Sequence, residues 1–341
     1  MFLRNQWYCA ALSREVKDAP VGRIFLNEPV VLYRKVDGGI VALEDRCCHR
    51  RAPLSKGKVE GANIRCGYHG FLYDATGQVI WVPGQDKVPP GAQVRTYPIA
   101  EKHGFVWIWM GEARLADADK APAFWWNDHS DWRSWSDYLG IACNYLYVVD
   151  NLMDLSHVPT LHIKTIGSAE DTDPNLTWER GPDWSRGTRV ARNLTPPYRW
   201  RLEGINHNID QKKVMTFTPP GNVVIDILTT EAGLKPGETP TLANNLIVPN
   251  AMTPETESTC HYFFGGCRNY QLDNDELTGM MHKTTIVAFN EDKDMLEGEQ
   301  RIINLNPAAS QIDVIADTGG LQSRRIVDRL LAEERSRAAA E

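Results

Sequence analysis

Two pairs of metal-binding residue types lie close together in the first part of the chain. Cys47 and His49 are separated by one residue, sixteen residues follow, and Cys66 and His69 are separated by two. Cys48 leaves no gap to His49, so Cys47 is the predicted ligand. Two thiolates and two imidazoles on two loops can hold a tetrahedral zinc ion. The same donors form the mixed ligand set of a [2Fe-2S] cluster in which histidines replace two cysteines on one iron.

The residues that follow each pair favour the iron-sulfur cluster. His49 precedes residues 50–54 (RRAPL) and His69 precedes residues 70–77 (GFLYDATG), which together resemble the Rieske signature closely. Respiratory Rieske proteins carry an extra, disulfide-forming cysteine in each loop. Ala52 and Tyr68 stand at the corresponding positions, so the resemblance is to the ferredoxin and oxygenase type.

A second set of candidate ligands begins at residue 151. Asn151, Asp154 and His157 are spaced three apart, which places them along one side of a helix, and Pro159 is predicted to end regular helix just before it. The break would let His157 and His162 turn toward one ion. Two neutral imidazoles and one carboxylate form the facial triad that holds non-haem Fe(II) in oxygen-activating enzymes.

Helical periodicity indicates where the carboxylate ligand lies. In the predicted helix, Asp292 falls within an apolar stripe, where an acid needs a partner. Glu299 is also near the stripe and is an alternative ligand, whereas Asp294 lies on the opposite, solvated side. The stripe is formed by Ala288, Phe289, Met295, Leu296 and Ile303.

With these motifs in place, the chain resembles the oxygenase component of a Rieske non-haem iron oxygenase. The pattern Asn-x2-Asp-x2-His-x4-His matches from Asn151 to His162, and Glu291-Asp292 resembles the family's third ligand. The segments RNQWYCAAL, DNLMDLSHVPTLH and TPETESTCHYFFGGCRN resemble the branch that contains vanillate O-demethylase, toluenesulfonate methyl-monooxygenase and dicamba monooxygenase. The resemblance runs end to end and is weakest from residue 165 to 250.

The resemblance implies roles for several residues. The cluster would receive electrons from NAD(P)H through a separate reductase or ferredoxin and pass them to the iron, which activates O2 beside a small aromatic substrate. Family members are trimers in which electrons cross between subunits. Asp154 would join His69 of one subunit to His157 of its neighbour, and Asn151 is a catalytic candidate beside it. His261 is a candidate contact for the acid group of the substrate, and a histidine of the hydrophobic core is an equal alternative.

Sequence patterning predicts an α+β fold in two domains. Short strands around a hairpin signal at residues 37–39 predict an N-terminal all-β domain, and a change of composition between residues 111 and 122 marks its end. The predicted domains are therefore residues 1–115 and residues 116–341. In the second domain, helices should pack on an antiparallel sheet, and the resemblance implies the helix-grip type. The predicted elements are strands 30–34, 40–43, 105–109 and 260–264 and helices 276–304 and 320–338.

Charge and composition narrow the range of partners. The 341 residues carry a net charge of -7, which argues against nucleic acid, and no apolar run is long enough to cross a membrane. Without a secretory leader, the chain is expected to be cytoplasmic, and its odd number of cysteines fits reduced thiols. Six basic residues surround the cluster motifs, and this basic collar suggests docking of an acidic ferredoxin or reductase, with an ordinary solvated loop surface as the alternative. The collar comprises Arg46, Arg50, Arg51, Lys56, Lys58 and Arg65.

The favoured function is hydroxylation of a methyl group on an aromatic acid, with release of formaldehyde when the methyl is attached to oxygen. An aromatic ring-hydroxylating oxygenase is the first alternative, because the same iron chemistry serves both reactions. An electron carrier with a partner-binding C-terminal domain and a zinc-stabilised binding protein are more distant alternatives.

Overall fold

The computed structural model describes residues 1–167, 176–196, 204–235 and 237–339. The chain divides into two compact units, and the first contains residues 1–123 together with the short segment 253–257. The domain boundary after residue 115 stays a prediction. That prediction assigned residues 253–257 to the second domain, whereas they group with the first unit.

The first unit consists of short antiparallel strands, which confirms the predicted all-β class. The predicted strands 30–34, 40–43 and 105–109 lie within the third, fourth and eleventh strands. The strands are β1 (Trp7–Leu12), β2 (Val21–Phe25), β3 (Glu28–Arg34), β4 (Ile40–Glu44), β5 (Lys58–Glu60), β6 (Asn63–Arg65), β7 (Leu72–Tyr73), β8 (Val79–Trp81), β9 (Thr96–Tyr97), β10 (Ile99–Lys102) and β11 (Phe105–Trp109).

These strands form three sheets, ordered β1-β11-β10, β2-β3-β4-β9 and β5-β6-β7-β8. A hydrophobic core joins side chains of the last two sheets and includes Cys47 and Cys66 as well as Leu54, Ile64 and Tyr73. The cysteines of the first metal motif are therefore anchored in the core of this unit.

The second unit is built on one seven-stranded antiparallel sheet, ordered β12-β18-β17-β16-β15-β14-β13. Its long strands contain the predicted strand 260–264. The strands are β12 (Arg133–Ile141), β13 (Leu176–Arg180), β14 (Ser185–Leu194), β15 (Ile209–Thr218), β16 (Asn222–Glu231), β17 (Ala243–Thr256) and β18 (Thr259–Arg268).

Helices pack on this sheet, which confirms the α+β prediction. They are α1 (Tyr145–Met153), α2 (Val158–Leu161), α3 (Asp275–Leu305) and α4 (Thr318–Ala338). Helix α1 contacts β15, β16 and α4, and α3 contacts β12. Among the helices of the described ranges, none combines the length and apolar character needed to span a bilayer.

The helix that carries the second motif ends earlier than predicted. Helix α1 stops at Met153, because Asp154 has extended backbone angles (φ -115, ψ 102) and its side chain accepts a hydrogen bond from the Ser156 amide, capping the next turn. Pro159 lies in the first turn of α2, where its missing N–H removes no helical hydrogen bond. The prediction of one helix continuing to His157 was wrong, and the break falls at Asp154.

The loops of the first motif approach each other closely at Gly57. A Cβ placed on Gly57 would lie 1.9 Å from the carbonyl oxygen of Arg65, the residue before Cys66. We expect Gly57→Ala to destabilise this unit by about 1–3 kcal/mol, because β5 and β6 must separate. Thermal unfolding and absorbance of the iron-sulfur chromophore would measure the effect.

Gly279→Ala is the matched control for this prediction. Gly279 lies inside α3 and its added Cβ would meet nothing within 4 Å. Alanine there is expected to stabilise the helix by up to about 1 kcal/mol. Native unfolding and full chromophore content in Gly57→Ala would contradict the close-approach argument.

Candidate metal centres

The two loops of the first motif are built alike. In each loop the cysteine amide donates to the carbonyl five residues later, over 2.8 Å in both cases. The amide four residues after each cysteine donates back to the cysteine carbonyl, and the residues at this point, Arg51 and Gly70, have φ of 59° and 78°. Both loops therefore present Cys47 and Cys66 from the same backbone conformation.

The thiols and imidazoles of this motif occupy different environments. Cys47 and Cys66 are each 2% exposed, and burial raises the pKa of the Cys66 thiol. His49 and His69 are exposed, and their ring centroids lie 4.6 Å apart. The Tyr73 hydroxyl lies 3.1 Å from the Cys47 sulfur. The arrangement holds the cysteines in the core and the histidines together at the surface.

This arrangement fits a two-iron cluster better than a single zinc ion. Donors bound to one tetrahedral zinc at about 2.0–2.3 Å must lie within about 4.6 Å of one another. Within the described ranges, the only three His, Cys, Asp or Glu donors that gather within 4.8 Å belong to a different set, His157, His162 and Asp292. Separate thiol and imidazole pairs match cysteines on one iron and histidines on the other.

The second motif converges on one point in the second unit. The Asp292 Oδ1 atom lies 3.4 Å from His157 Nε2 and 3.0 Å from His162 Nε2. Asp292 is 6% exposed and His162 is 1% exposed. The structure thus brings together the three residues that the sequence predicted as ligands, which lie in a 3-10 turn, just after α2 and within α3.

Hydrogen bonds at the other ring nitrogens orient both imidazoles. His157 Nδ1 lies 2.8 Å from the Asp154 backbone carbonyl, and His162 Nδ1 lies 2.7 Å from Glu291 Oε2. The Thr165 hydroxyl donates to the same Glu291 oxygen over 2.9 Å. When Nδ1 donates in both rings, both Nε2 lone pairs are free to bind a metal ion.

Burial and charge act differently on these ligands. Burial lowers the pKa of His157. Burial also acts to lower the pKa of His162, but hydrogen bonds with Asp292 and Glu291 outweigh it and the net shift is upward. Asn151 Nδ2 donates to Asp292 Oδ1 over 3.0 Å. An amide from α1 therefore fixes the carboxylate oxygen that both imidazole Nε2 atoms face.

The other predicted candidates lie outside the triad. Asp294 is exposed, as expected, and Glu299 lines a neighbouring groove. Met295 was predicted in the apolar stripe but is 61% exposed, because it lines the same groove. The Asp154 carboxylate accepts hydrogen bonds from the amide and hydroxyl of Ser156, so its contact with the His157 ring runs through its backbone carbonyl.

Two cavities adjoin the helical segments that carry the triad. An open groove of about 770 Å³ is lined by both polar and apolar residues. A smaller, mainly apolar cavity lies over strands β15, β16 and β17 and is lined also by Leu155, Val158 and Phe289, close in sequence to the ligands. The polar lining of the groove includes Asp150, Asn151, Asp154, His157, Glu299 and Arg324.

His261 lines neither of these two cavities. It is 5% exposed, and its Nδ1 lies 2.9 Å from the Tyr138 hydroxyl. Sequence reasoning did not identify Glu291 and Thr165 as supports of His162. The position of Glu291 beside Asp292 was the only available signal, since the contact with His162 spans 129 residues.

Family models match both units of the chain. Residues 6–98 match the Rieske [2Fe-2S] domain, which contains the first motif. Residues 141–333 match the Vanillate O-demethylase oxygenase C-terminal domain, which contains the second motif.

Whole-chain relatives carry the same two regions. A putative toluene-4-sulfonate monooxygenase system iron-sulfur subunit of Comamonas testosteroni is 38% identical, covering 98% of each chain. A vanillate O-demethylase oxygenase subunit of Pseudomonas sp. is 35% identical, covering 100% of this chain and 98% of the relative. The crystal structure of dicamba monooxygenase with non-heme iron and dicamba has a TM-score of 0.84 and 30% identity over 98% and 99% of the two chains. The chain therefore belongs to the Rieske oxygenases, as an oxygenase component with a Rieske [2Fe-2S] domain and a catalytic domain of the vanillate O-demethylase type.

Proposed function

We propose that this oxygenase oxidises a methyl group on an aromatic acid, at a mononuclear Fe(II) held by His157, His162 and Asp292. The observation that carries the proposal is the convergence of two Nε2 atoms and one carboxylate oxygen beside an apolar cavity. Two imidazoles and one carboxylate suit Fe(II) and leave coordination positions open. Bound there, the iron supplies O2 activation.

The protein's own residues would prepare this site. Glu291 and the Asp154 carbonyl hold the imidazoles in the tautomer that directs Nε2 inward. Asn151 fixes the Asp292 oxygen that faces both rings. Apolar side chains of the neighbouring cavity, among them Val158 and Phe289, would exclude water and position an aromatic ring.

The overall reaction balances with two electrons and two protons. One oxygen atom of O2 enters a C–H bond of the methyl group, and the other leaves as water. When the methyl carbon is attached to oxygen, the hydroxylated product is a hemiacetal that releases formaldehyde and a phenol.

Electrons would enter through the Rieske cluster, held by Cys47, His49, Cys66 and His69. They would come from NAD(P)H through a separate reductase or ferredoxin in the cytoplasm. The exposure of His49 and His69 supports this route, because an iron held by them would lie close to the surface. The basic collar would receive an acidic partner, although ion pairs with Glu44 and Glu60 already engage Arg46, Lys58 and Arg65.

Asp154 would connect the two centres across a homotrimer, between His69 of one subunit and His157 of the next. Its position in the open groove supports this role, because the carboxylate is accessible there. Asn151 lines the same groove and would orient the iron ligand Asp292 through its hydrogen bond to Oδ1. His261 as a contact for the substrate's acid group also stays a proposal, and its bond with Tyr138 would orient its ring.

A direct test of the function uses the purified oxygenase with NAD(P)H, a surrogate reductase and O2. With 4-methoxybenzoate we expect formaldehyde and 4-hydroxybenzoate in equal amounts, measured by derivatisation and chromatography. Products that retain the methoxy group and carry new ring hydroxyls would instead identify a ring-hydroxylating oxygenase.

The triad predicts a specific loss of iron. Asp292→Ala should reduce iron from about three to about two atoms per subunit and abolish turnover, while the visible spectrum of the cluster remains. Asp294→Ala is the matched control, because Asp294 is exposed on the same helix and should leave both properties unchanged. If only Asp294→Ala lost iron, the ligand assignment would be wrong.

If Asp154 connects the two centres, its substitution should slow electron transfer between them. Asp154→Asn keeps the size and one acceptor oxygen, so the Ser156 cap should survive while the negative charge is lost. Both centres should stay largely bound, with metal affinity reduced by at most roughly 10- to 100-fold. In an anaerobically reduced, iron-loaded sample mixed with substrate and O2, reoxidation of the cluster should slow. Reoxidation at the wild-type rate would show that electrons take another route.

A further inference from the structure

We propose that Arg324 of helix α4 is a positioning residue, which holds the end of α1 where Asn151 can bind the iron ligand Asp292. This inference rests on the iron site of the proposed function and concerns how that site is assembled. Arg324 would act through α1, because it binds Asp150 and contacts Tyr147 of that helix.

Arg324 makes two contacts with one face of α1. Its Nε donates to Asp150 Oδ2 over 2.9 Å, and its Nη2 donates to the same oxygen. Its Cζ lies 5.0 Å from the centre of the Tyr147 ring, one turn earlier in α1. Residues three apart share a helix face. The two contacts together therefore fix the rotation of α1 as well as its distance from α4.

Helix α4 also approaches α1 closely at Gly320. A Cβ placed on Gly320 would lie 2.5 Å from Asp150 Oδ1, closer than side chains approach one another. Glycine at this point therefore lets the Asp150 carboxylate lie against α4. Ser323, beside Arg324, shares a hydrogen bond of 3.0 Å with Ser185 of β14, and both serines are buried. Helix α4 is thus tied to the sheet and can serve as a support for α1.

The next residue of α1 carries the link to the iron site. Asn151 follows Asp150, and successive helical residues point about 100° apart, so one side chain reaches α3 and the other α4. Asn151 Nδ2 donates to Asp292 Oδ1 over 3.0 Å, and the Nε2 atoms of both triad histidines face this oxygen. A shift of α1 away from α4 would therefore disturb the bond that fixes the ligand oxygen.

The charges around the ion pair indicate what loss of Arg324 would do. Arg324 is the only lysine or arginine among the described residues that line the open groove. Burial raises the pKa of Asp150, and its bonds with Arg324 only partly reverse this effect. A desolvated pair of this kind adds little net stability but can fix how two helices pack. Without Arg324, Asp150 would be left among like charges, and the end of α1 would move. The acids of the groove are Asp150, Asp154, Glu299, Asp313 and Asp317.

The test measures how fast the purified holoenzyme loses its mononuclear iron. The protein is mixed anaerobically with excess ferrozine, a chelator of Fe(II), and iron release is followed by absorbance. Arg324→Met should speed release roughly 3- to 30-fold, the range expected when coupling passes through intermediate residues. Arg324→Lys keeps the charge without the paired donors and should give an intermediate rate. Arg329→Met is the matched control, because Arg329 is exposed on the same helix and pairs with Asp183 and Glu333.

Two further variants separate positioning from general stability. Gly320→Ala should favour α4 by helix propensity and yet speed iron release, because the added methyl group displaces Asp150. In an Asn151→Ala background, Arg324→Met should add little further effect, because the route through Asn151 is already lost. The EPR spectrum recorded after addition of nitric oxide should change in each variant that releases iron faster.

Two results would overturn the proposal. One is iron release at the wild-type rate in Arg324→Met and Gly320→Ala with native circular dichroism. The other is additivity of Arg324→Met and Asn151→Ala, which would show that Arg324 does not act through Asn151. If Arg324→Met fails to fold, Arg324→Lys and Gly320→Ala decide the question.

The outcome is separable from that of the proposed function. Iron release is measured without substrate, so a wild type that keeps its third iron per subunit but forms no formaldehyde would reject methyl oxidation alone. A wild type without that third iron would reject the triad and the role of Arg324 together.

Discussion

The buried Asp292 carboxylate places the strongest physical demand on the second unit. A carboxylate removed from water without compensation costs several kcal/mol, so its surroundings must supply donors or a cation. Asn151 donates to its oxygen, and the Nε2 atoms of His157 and His162 point at the same atom. A divalent ion among these groups would satisfy the carboxylate and both imidazoles together. The helix break at Asp154 lies between Asn151 and the two histidines, so the amide and the imidazoles reach the carboxylate from different segments.

The two metal centres of this Rieske oxygenase differ in burial in a way that suits their chemistry. The Rieske histidines lie at the surface over buried cysteines, which favours electron exchange with another protein. The triad ligand His162 is 1% exposed, and a largely apolar cavity adjoins the segment that carries it. A site that activates O2 benefits from such shielding, because exclusion of water limits side reactions and strengthens local electrostatic interactions.

Side chains within residues 151–158, from the last turn of α1 to the first residue of α2, line both neighbouring cavities. Asn151, Asp154 and His157 line the open groove, whereas Leu155 and Val158 line the apolar cavity. The short capped turn makes this possible, because it changes the direction of successive side chains within a few residues. One stretch of chain thus presents side chains to two different cavities.

The sequence by itself determined the features that are local in the chain. The predicted cluster ligands lie within 23 consecutive residues and the two predicted iron-binding histidines within six, so spacing and the neighbouring residues marked them as candidates. Periodicity identified Asp292 as an acid in an apolar stripe, because α3 is long and regular.

Tertiary structure decided what depends on distant residues. Glu291 supports His162 across 129 residues. The set of β15 residues that lines the apolar cavity depends on strand register, which a single sequence does not specify for a polar strand. Helix α1 ends at Asp154 because the Asp154 side chain caps the next turn in place of continuing the helix. The spacing of residues along the sequence does not reveal which of these two outcomes is favoured.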